Sequence, residues 1–298
     1  MLLDVPPRRM WGWGPGLSGF CGSASIQTVG IYYGNWLSQN AVRALTGSTD
    51  AAHQVMLGSG GCCAAVHILR KLRLNVTQWP YGTAALPQAP AFLRWLAESA
   101  IMAQPVIFAV YMKTESNDRF DHIVPFVGFD EVRRLVFNDL HSNSSLRVSP
   151  ASFISSRALC RASLPWPERF AYCLPMDTNY GIRVHGNMDE NGELLPARLS
   201  MDDWSEPDYS LEDQRHEQPS MLTATLTASG LVPGVMYTRL CFNNVLTLPT
   251  HGFFSSSGTA ERTDFMATCT VHSWRVRFAS NSTTFFRVVR STAARGAR

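Results

Sequence analysis

Apolar Ile26, Val29, Tyr33 and Trp36 recur three or four positions apart behind a run of small residues. The segment GFCGSASIQTVGIYYGNWLSQNAVRAL, 19–45, therefore predicts a helix that opens at Cys21. A second helix is predicted at about 62–72, after the loop GSGG and ending on basic KLR. A third covers AFLRWLAESAIMA, 91–103, behind the turn signals Pro87 and Pro90. After Pro105 the pattern changes: VIFAVYM, 106–112, is a continuous apolar, β-branched and aromatic run of strand length. HIVPFVGFD, 122–130, and RLVFNDL, 134–140, read as two further strands. Helices first and a sheet after them is an α+β layout.

Beyond Pro175 the pattern shifts to short strands. GIRVHGNMDENGELLPARLSM, 181–201, predicts two alternating strands around the turn MDENG. MDDWSEPDYSLEDQRHEQPS, 201–220, is acidic and polar with prolines, as in a long surface connection. MLTATLTASGL, VMYTRLCF, FMATCTVHSWRVRFA and TTFFRVVR then recur with turn residues between them, the signature of a small all-β sandwich. With 298 residues the chain suits two cores, expected at 1–178 and 179–298.

Composition narrows the function. Charged residues make up 16% and the net charge is +3 with no long like-charge run, so nucleic acid is not an expected partner. No stretch approaches the roughly 18 consecutive apolar residues of a membrane span, and MLLDVPPRRM lacks the apolar centre of a secretory signal. As written the chain reads as cytoplasmic. Seven cysteines and the sequons at Asn75, Asn143 and Asn281 suit a secreted or endolysosomal glycoprotein instead, which requires a signal upstream of this start. The simplest bridges are Cys160 with Cys173 and Cys241 with Cys269, and the odd count leaves Cys21 as the candidate free thiol.

A thiol attacks as its anion, which a helix start and a neighbouring imidazole favour. Cys21 is placed for the first. For the second, His122 opens a strand in FDHIVPFVGFD, whereas His185, His216 and His251 sit in hairpin, linker or turn settings. The next strand ends in FNDLH, so Asn138 or Asp139 can hold the second imidazole nitrogen; adjacent strand residues face opposite ways, so only one of them points inward. Cys62, Cys63 and His67 lack a second ligand pair at metal-site spacing. GSGGCC lacks a phosphate-loop ending, and Asp189, Glu190 and Asn191 fit a hairpin turn rather than a calcium loop, so no metal or cofactor is expected.

SGFCGSASIQ, DHIVPFVGFD and VFNDL together resemble the papain-like cysteine peptidase superfamily, and within it the bacteriocin-processing-peptidase-like branch. There CG opens a helix, H-x-V/I precedes a G-[FY]-D turn and an N-D pair closes the next strand. The likeness spans roughly residues 11–178. It implies a papain-like domain, a Cys21, His122, Asp139 triad with Asn138 as the alternative third member, and a peptide or protein substrate. The β-rich remainder resembles an accessory domain. The sequence departs from the family where a glutamine usually precedes the cysteine as oxyanion donor: here the stretch reads RRMWGWGPGLSG. Ser18, Trp11, Trp13 or backbone amides are the substitutes on offer, and Gln27 lies after the cysteine. The expected function is peptide or amide hydrolysis through a thioester. The alternatives are acyl or glutamine transfer by the same groups and a non-catalytic binding protein on the same scaffold.

Overall fold

The computed structural model describes residues 1–10, 19–47, 54–58, 64–114, 119–141, 144–160, 170–202, 221–253, 255 and 260–291. It is a mixed structure with few helices and mostly antiparallel sheet. In chain order the elements are α1 (Cys21–Tyr32), β1 (Asn35–Leu37), α2 (Gln39–Ala44), α3 (Ala65–Lys71), β2 (Leu74–Gln78), α4 (Ala89–Ile101), β3 (Val106–Thr114), β4 (Arg119–Phe129) and β5 (Leu135–Asp139). They continue with β6 (Ser144–Val148), α5 (Pro150–Phe153), β7 (Ile154–Ser155), β8 (Phe170–Pro175), β9 (Gly181–Asn187), β10 (Ala197–Met201), β11 (Met221–Ser229), β12 (Met236–Phe242), β13 (Glu261–Met266), β14 (Val271–Ala279) and β15 (Thr283–Arg290).

An eight-stranded sheet runs β2-β9-β3-β4-β5-β6, with β8 pairing the end of β3 beyond β9 and β7 pairing β8. Helix α1 packs on β4, and the side chains of Ile26 and Val29 are fully buried among Ile107, Ile123 and Ile182 of this sheet. Burial of each such side chain contributes about 1.5–3 kcal/mol. Helix α4 covers another part of the sheet, where Phe92 and Leu96 meet Phe108 and Phe126. Farther along the chain, a four-stranded sheet β1-β15-β12-β13 and a three-stranded sheet β10-β11-β14 enclose one apolar cluster that includes Trp36, Leu226, Phe278 and Val288.

Two expected elements differ. The first helix stops at Tyr32, because Gly34 turns the chain at φ +74° and donates back to the Ile31 carbonyl, so Trp36 lies in strand β1. The two strands expected to pair across 181–201 do not form a hairpin: β9 joins β2 and β3, and β10 joins β11. Strands thus cross the expected boundary at residue 178 in both directions, with β9 in the first sheet and β1 beside β15. Apart from Met201 and Asp202, the acidic connection lies outside the described residues.

Candidate active site

Cys21 is the first residue of α1, which has no acidic residue in its first turn and no side-chain cap. Its uncapped amides therefore face whatever lies at the helix start. Burial raises the Cys21 thiol above its ordinary pKa, outweighing the backbone N–H groups of Ile123, Gly22 and Cys21 itself and the positive charge of Arg43, all of which favour the anion. The Ile123 peptide ties helix to strand at both of its ends. Its N–H faces the Cys21 sulfur, and its carbonyl accepts from the Ser25 hydroxyl at 3.1 Å. Since Ile123 follows His122 on β4, the strand that carries the imidazole lies against the helix start.

His122 is 1% exposed, and its Nε2 has no hydrogen-bond partner among the described residues. The ring lies between two others, with His141 at 5.0 Å and Tyr172 at 5.9 Å between centroids, each 16° from parallel. Burial first, and the neighbouring His141 second, hold the imidazole well below its ordinary pKa. Both flanking residues are tethered to one carboxylate: Asp139 Oδ1 accepts from the Tyr172 hydroxyl at 3.3 Å and from the His141 backbone N–H at 3.2 Å. Burial of Tyr172, reinforced by the Asp139 charge, holds its hydroxyl firmly protonated and able to donate.

The two candidates for third member part company. Asn138 turns to the N-terminal segment, donating to the Val5 carbonyl at 3.0 Å and accepting from the Ser145 hydroxyl at 2.8 Å. Asp139, next along β5, faces the other way, toward the histidines. His122, Asp139 and His141 each bring one potential ligand atom within 4.8 Å of the others, so among the described residues these three are the set whose donors could share a metal ion.

The remaining candidates are elsewhere. His185 bonds to Thr77 at 2.7 Å and His251 lies 3.1 Å from Glu190. Gln27 is buried and accepts from Gln39 at 3.1 Å. His67 is exposed on α3. Cys62, Cys63, Trp11, Trp13, Ser18 and His216 lie outside the described residues. Cys160 and Cys173 form a disulfide, whereas Cys241 and Cys269, expected to pair, are free thiols. The reason is position: Cys241 on β12 points into the core shared by the two smaller sheets, and Cys269 sits on the exposed turn between β13 and β14.

Sequence reasoning missed His141, Tyr172 and Arg43. His141 stands in the quoted FNDLH, and its spacing of two from Asp139 was the available signal. Tyr172 adjoins the bridged Cys173, but nothing local ties it to His122. Arg43, 1% exposed on α2, stacks on the ring of Phe20, the residue before Cys21, with its guanidinium carbon 4.0 Å from the centroid. No family model, curated protein or solved structure matches this chain.

Proposed function

We propose that the chain is a papain-like cysteine hydrolase, with a β-sandwich accessory part, that cleaves peptide or amide bonds. One observation supports the reading: Cys21 opens an uncapped helix and the backbone N–H of Ile123, next to His122, favours its anion, while Asp139 brings a carboxylate oxygen within 4.8 Å of a His122 ring nitrogen. Cys21 attacks the carbonyl, forming a sulfur–carbon bond as its proton passes to His122. Collapse breaks the carbon–nitrogen bond, and the amine leaves with that proton. A water deprotonated by His122 then hydrolyses the thioester, returning the thiol and releasing the acid. Asp139 holds the flanking Tyr172 and His141 and stabilises the imidazolium.

The raised thiol and depressed imidazole favour a neutral pair at rest, so proton transfer accompanies attack. The substrate class is peptide or protein. The Cys160–Cys173 bridge and the exposed sequon residues Asn75 and Asn281 favour a secreted or endolysosomal setting over the cytoplasm. The test is p-nitrophenyl acetate as a general acyl donor, followed by nitrophenolate release and by peptide-mapped mass. Mapping is required because Cys269 is an exposed second thiol. The expected result is an acetyl adduct on Cys21 that turns over, with acylation falling about 100-fold or more in His122→Ala. A Cys21 acylated equally fast without His122 would sink the reading.

A further inference from the structure

Asp139 closes β5 and His141 follows two residues on, while His122 comes from β4, the strand paired with β5. One ligand atom from each of the three lies within 4.8 Å of the other two, and Cys21 is not part of the set. Around a zinc ion, with bonds of about 2.0–2.2 Å, such atoms stand about 3.4 Å apart, so the set closes in by no more than about 1.5 Å. The rings are placed for that. Two imidazoles on one tetrahedral ion have centres about 5 Å apart, and those of His122 and His141 are 5.0 Å apart. Turning an imidazole about its Cβ–Cγ bond swings the nitrogens and leaves the ring centre where it is. His122 is 1% exposed with its Nε2 unpartnered among the described residues, a cost that a bound cation removes. The carboxylate is steadied from outside, since Asp139 Oδ1 accepts from the Tyr172 hydroxyl at 3.3 Å. His141 keeps partial exposure, which gives an ion a way in from solvent.

We propose that His122, Asp139 and His141 bind a divalent transition-metal ion of the Zn²⁺ kind, and that the bound ion holds the Cys21 site inactive. Two imidazoles and a carboxylate suit zinc, whereas Mg²⁺ and Ca²⁺ favour oxygen ligands throughout. Three protein ligands leave a fourth position for water. The binding follows from the geometry alone; the inhibition rests on the thiol-hydrolase reading above. A neutral imidazole has one nitrogen lone pair, and the pair with which His122 takes the Cys21 proton is the one it gives to the ion. Acylation therefore stops while the metal is bound and resumes when a chelator removes it. No bond is made to the sulfur.

Co²⁺ is the probe, because tetrahedral cobalt absorbs in the visible and a thiolate ligand adds a charge-transfer band in the near ultraviolet. Titrated into the full chain, Co²⁺ should give the visible bands without the sulfur band, and Zn²⁺ should displace it. In Cys21→Ala the affinity should stay within about twofold, and in His141→Ala and Asp139→Asn it should fall at least about tenfold. Zn²⁺ should abolish acylation of Cys21 by p-nitrophenyl acetate, with EDTA restoring it. In His141→Ala, half-inhibition of that variant's own metal-free rate should need at least about tenfold more zinc. Loss of Co²⁺ binding in Cys21→Ala, or undiminished affinity in both ligand variants, would overturn the site. Unchanged acylation with the site filled would overturn the inhibition. A parent that binds the ion but is never acylated in its absence would sink the hydrolase reading and leave the metal site standing, so the failures are distinguishable.

Discussion

The neighbourhood of α1 and the two-sheet region from β10 to β15 bury their residues in opposite ways. Around α1 the interior holds Ser23, Ser25, Gln27, Thr28, Gln39, Arg43, His122, Asn138 and Asp139, all at 2% exposure or less. The cluster between the two smaller sheets is apolar, built from residues such as Leu199, Leu226, Phe278 and Val288. Burying a polar group costs about 1–3 kcal/mol unless it is matched. That cost is concentrated on one helix and the strands around it, which is where the proposed chemistry would sit. The two regions meet along a polar seam. There buried Arg287, its guanidinium drawn down to about 9 by desolvation, donates to Asn35 at 2.7 Å, and Asn35 donates to Asn187 at 3.0 Å.

The largest expected effect tests whether the regions are separable at all. Cutting the chain after residue 178 removes β9 from between β2 and β3 and takes β1 away from β15. It also strips Trp36, fully buried and stacked 5.2 Å from Phe278, out of the two-sheet core. Loss of that one indole forfeits about 2–3 kcal/mol, before any ladder hydrogen bond is counted. Neither 1–178 nor 179–298 alone should give a cooperative thermal transition, and co-expression should restore one. A cooperative transition from the isolated 179–298 piece would break the picture of interlocked regions.

That interlocking explains what the sequence makes legible. Local pattern marks α1 from its start at Cys21, α4 by the turn signals at its start, with Pro90 inside its first turn, the apolar run of β3, and β11 and β15 as short strand-like runs between turn residues, because each signal lies within one element. Pattern says nothing of partners. Thus β9 reads as half of a hairpin yet pairs with strands some 75 and 105 residues upstream. Trp36 fits a helical period until Gly34 reverses the chain. In the site, Cys21, His122 and the choice between Asn138 and Asp139 are visible because helix starts and strand alternation are local. His141 follows β5 within the same FNDLH segment, whereas Tyr172 and Arg43 come from other elements, and only the tertiary fold brings them near Asp139 and the start of α1.

The next effect sharpens the contrast within a single strand. Asp139→Asn keeps an acceptor for the Tyr172 hydroxyl and the His141 amide but removes the charge facing His122. Acylation of Cys21 should fall about 100-fold, with stability altered by less than about 1 kcal/mol. Asn138→Asp reverses the pattern. It sets a carboxylate against the Val5 carbonyl in place of an N–H donor, costing about 2–3 kcal/mol in urea unfolding, with acylation nearly unchanged where the protein stays folded. Equal rate losses in the two variants would mean that alternation along β5 does not divide chemistry from scaffold.

The smallest effect compares two thiols, one from each region. Burial, with Glu261 second, pushes Cys241 up to about 11, and burial also raises Cys21, against which the Ile123 and helix-start amides and Arg43 pull back. For both thiols the thiolate fraction, and so alkylation by iodoacetamide, should climb through pH 9 without a plateau near neutrality. A plateau for Cys21 between pH 5 and 7 would reveal an ion pair with His122 and contradict the neutral resting state. Removing each thiol then separates the regions. Cys21→Ala abolishes acylation, whereas Cys241→Ala leaves it intact and costs about 1 kcal/mol, because a small core side chain has been trimmed among Tyr237, Phe286 and Val288.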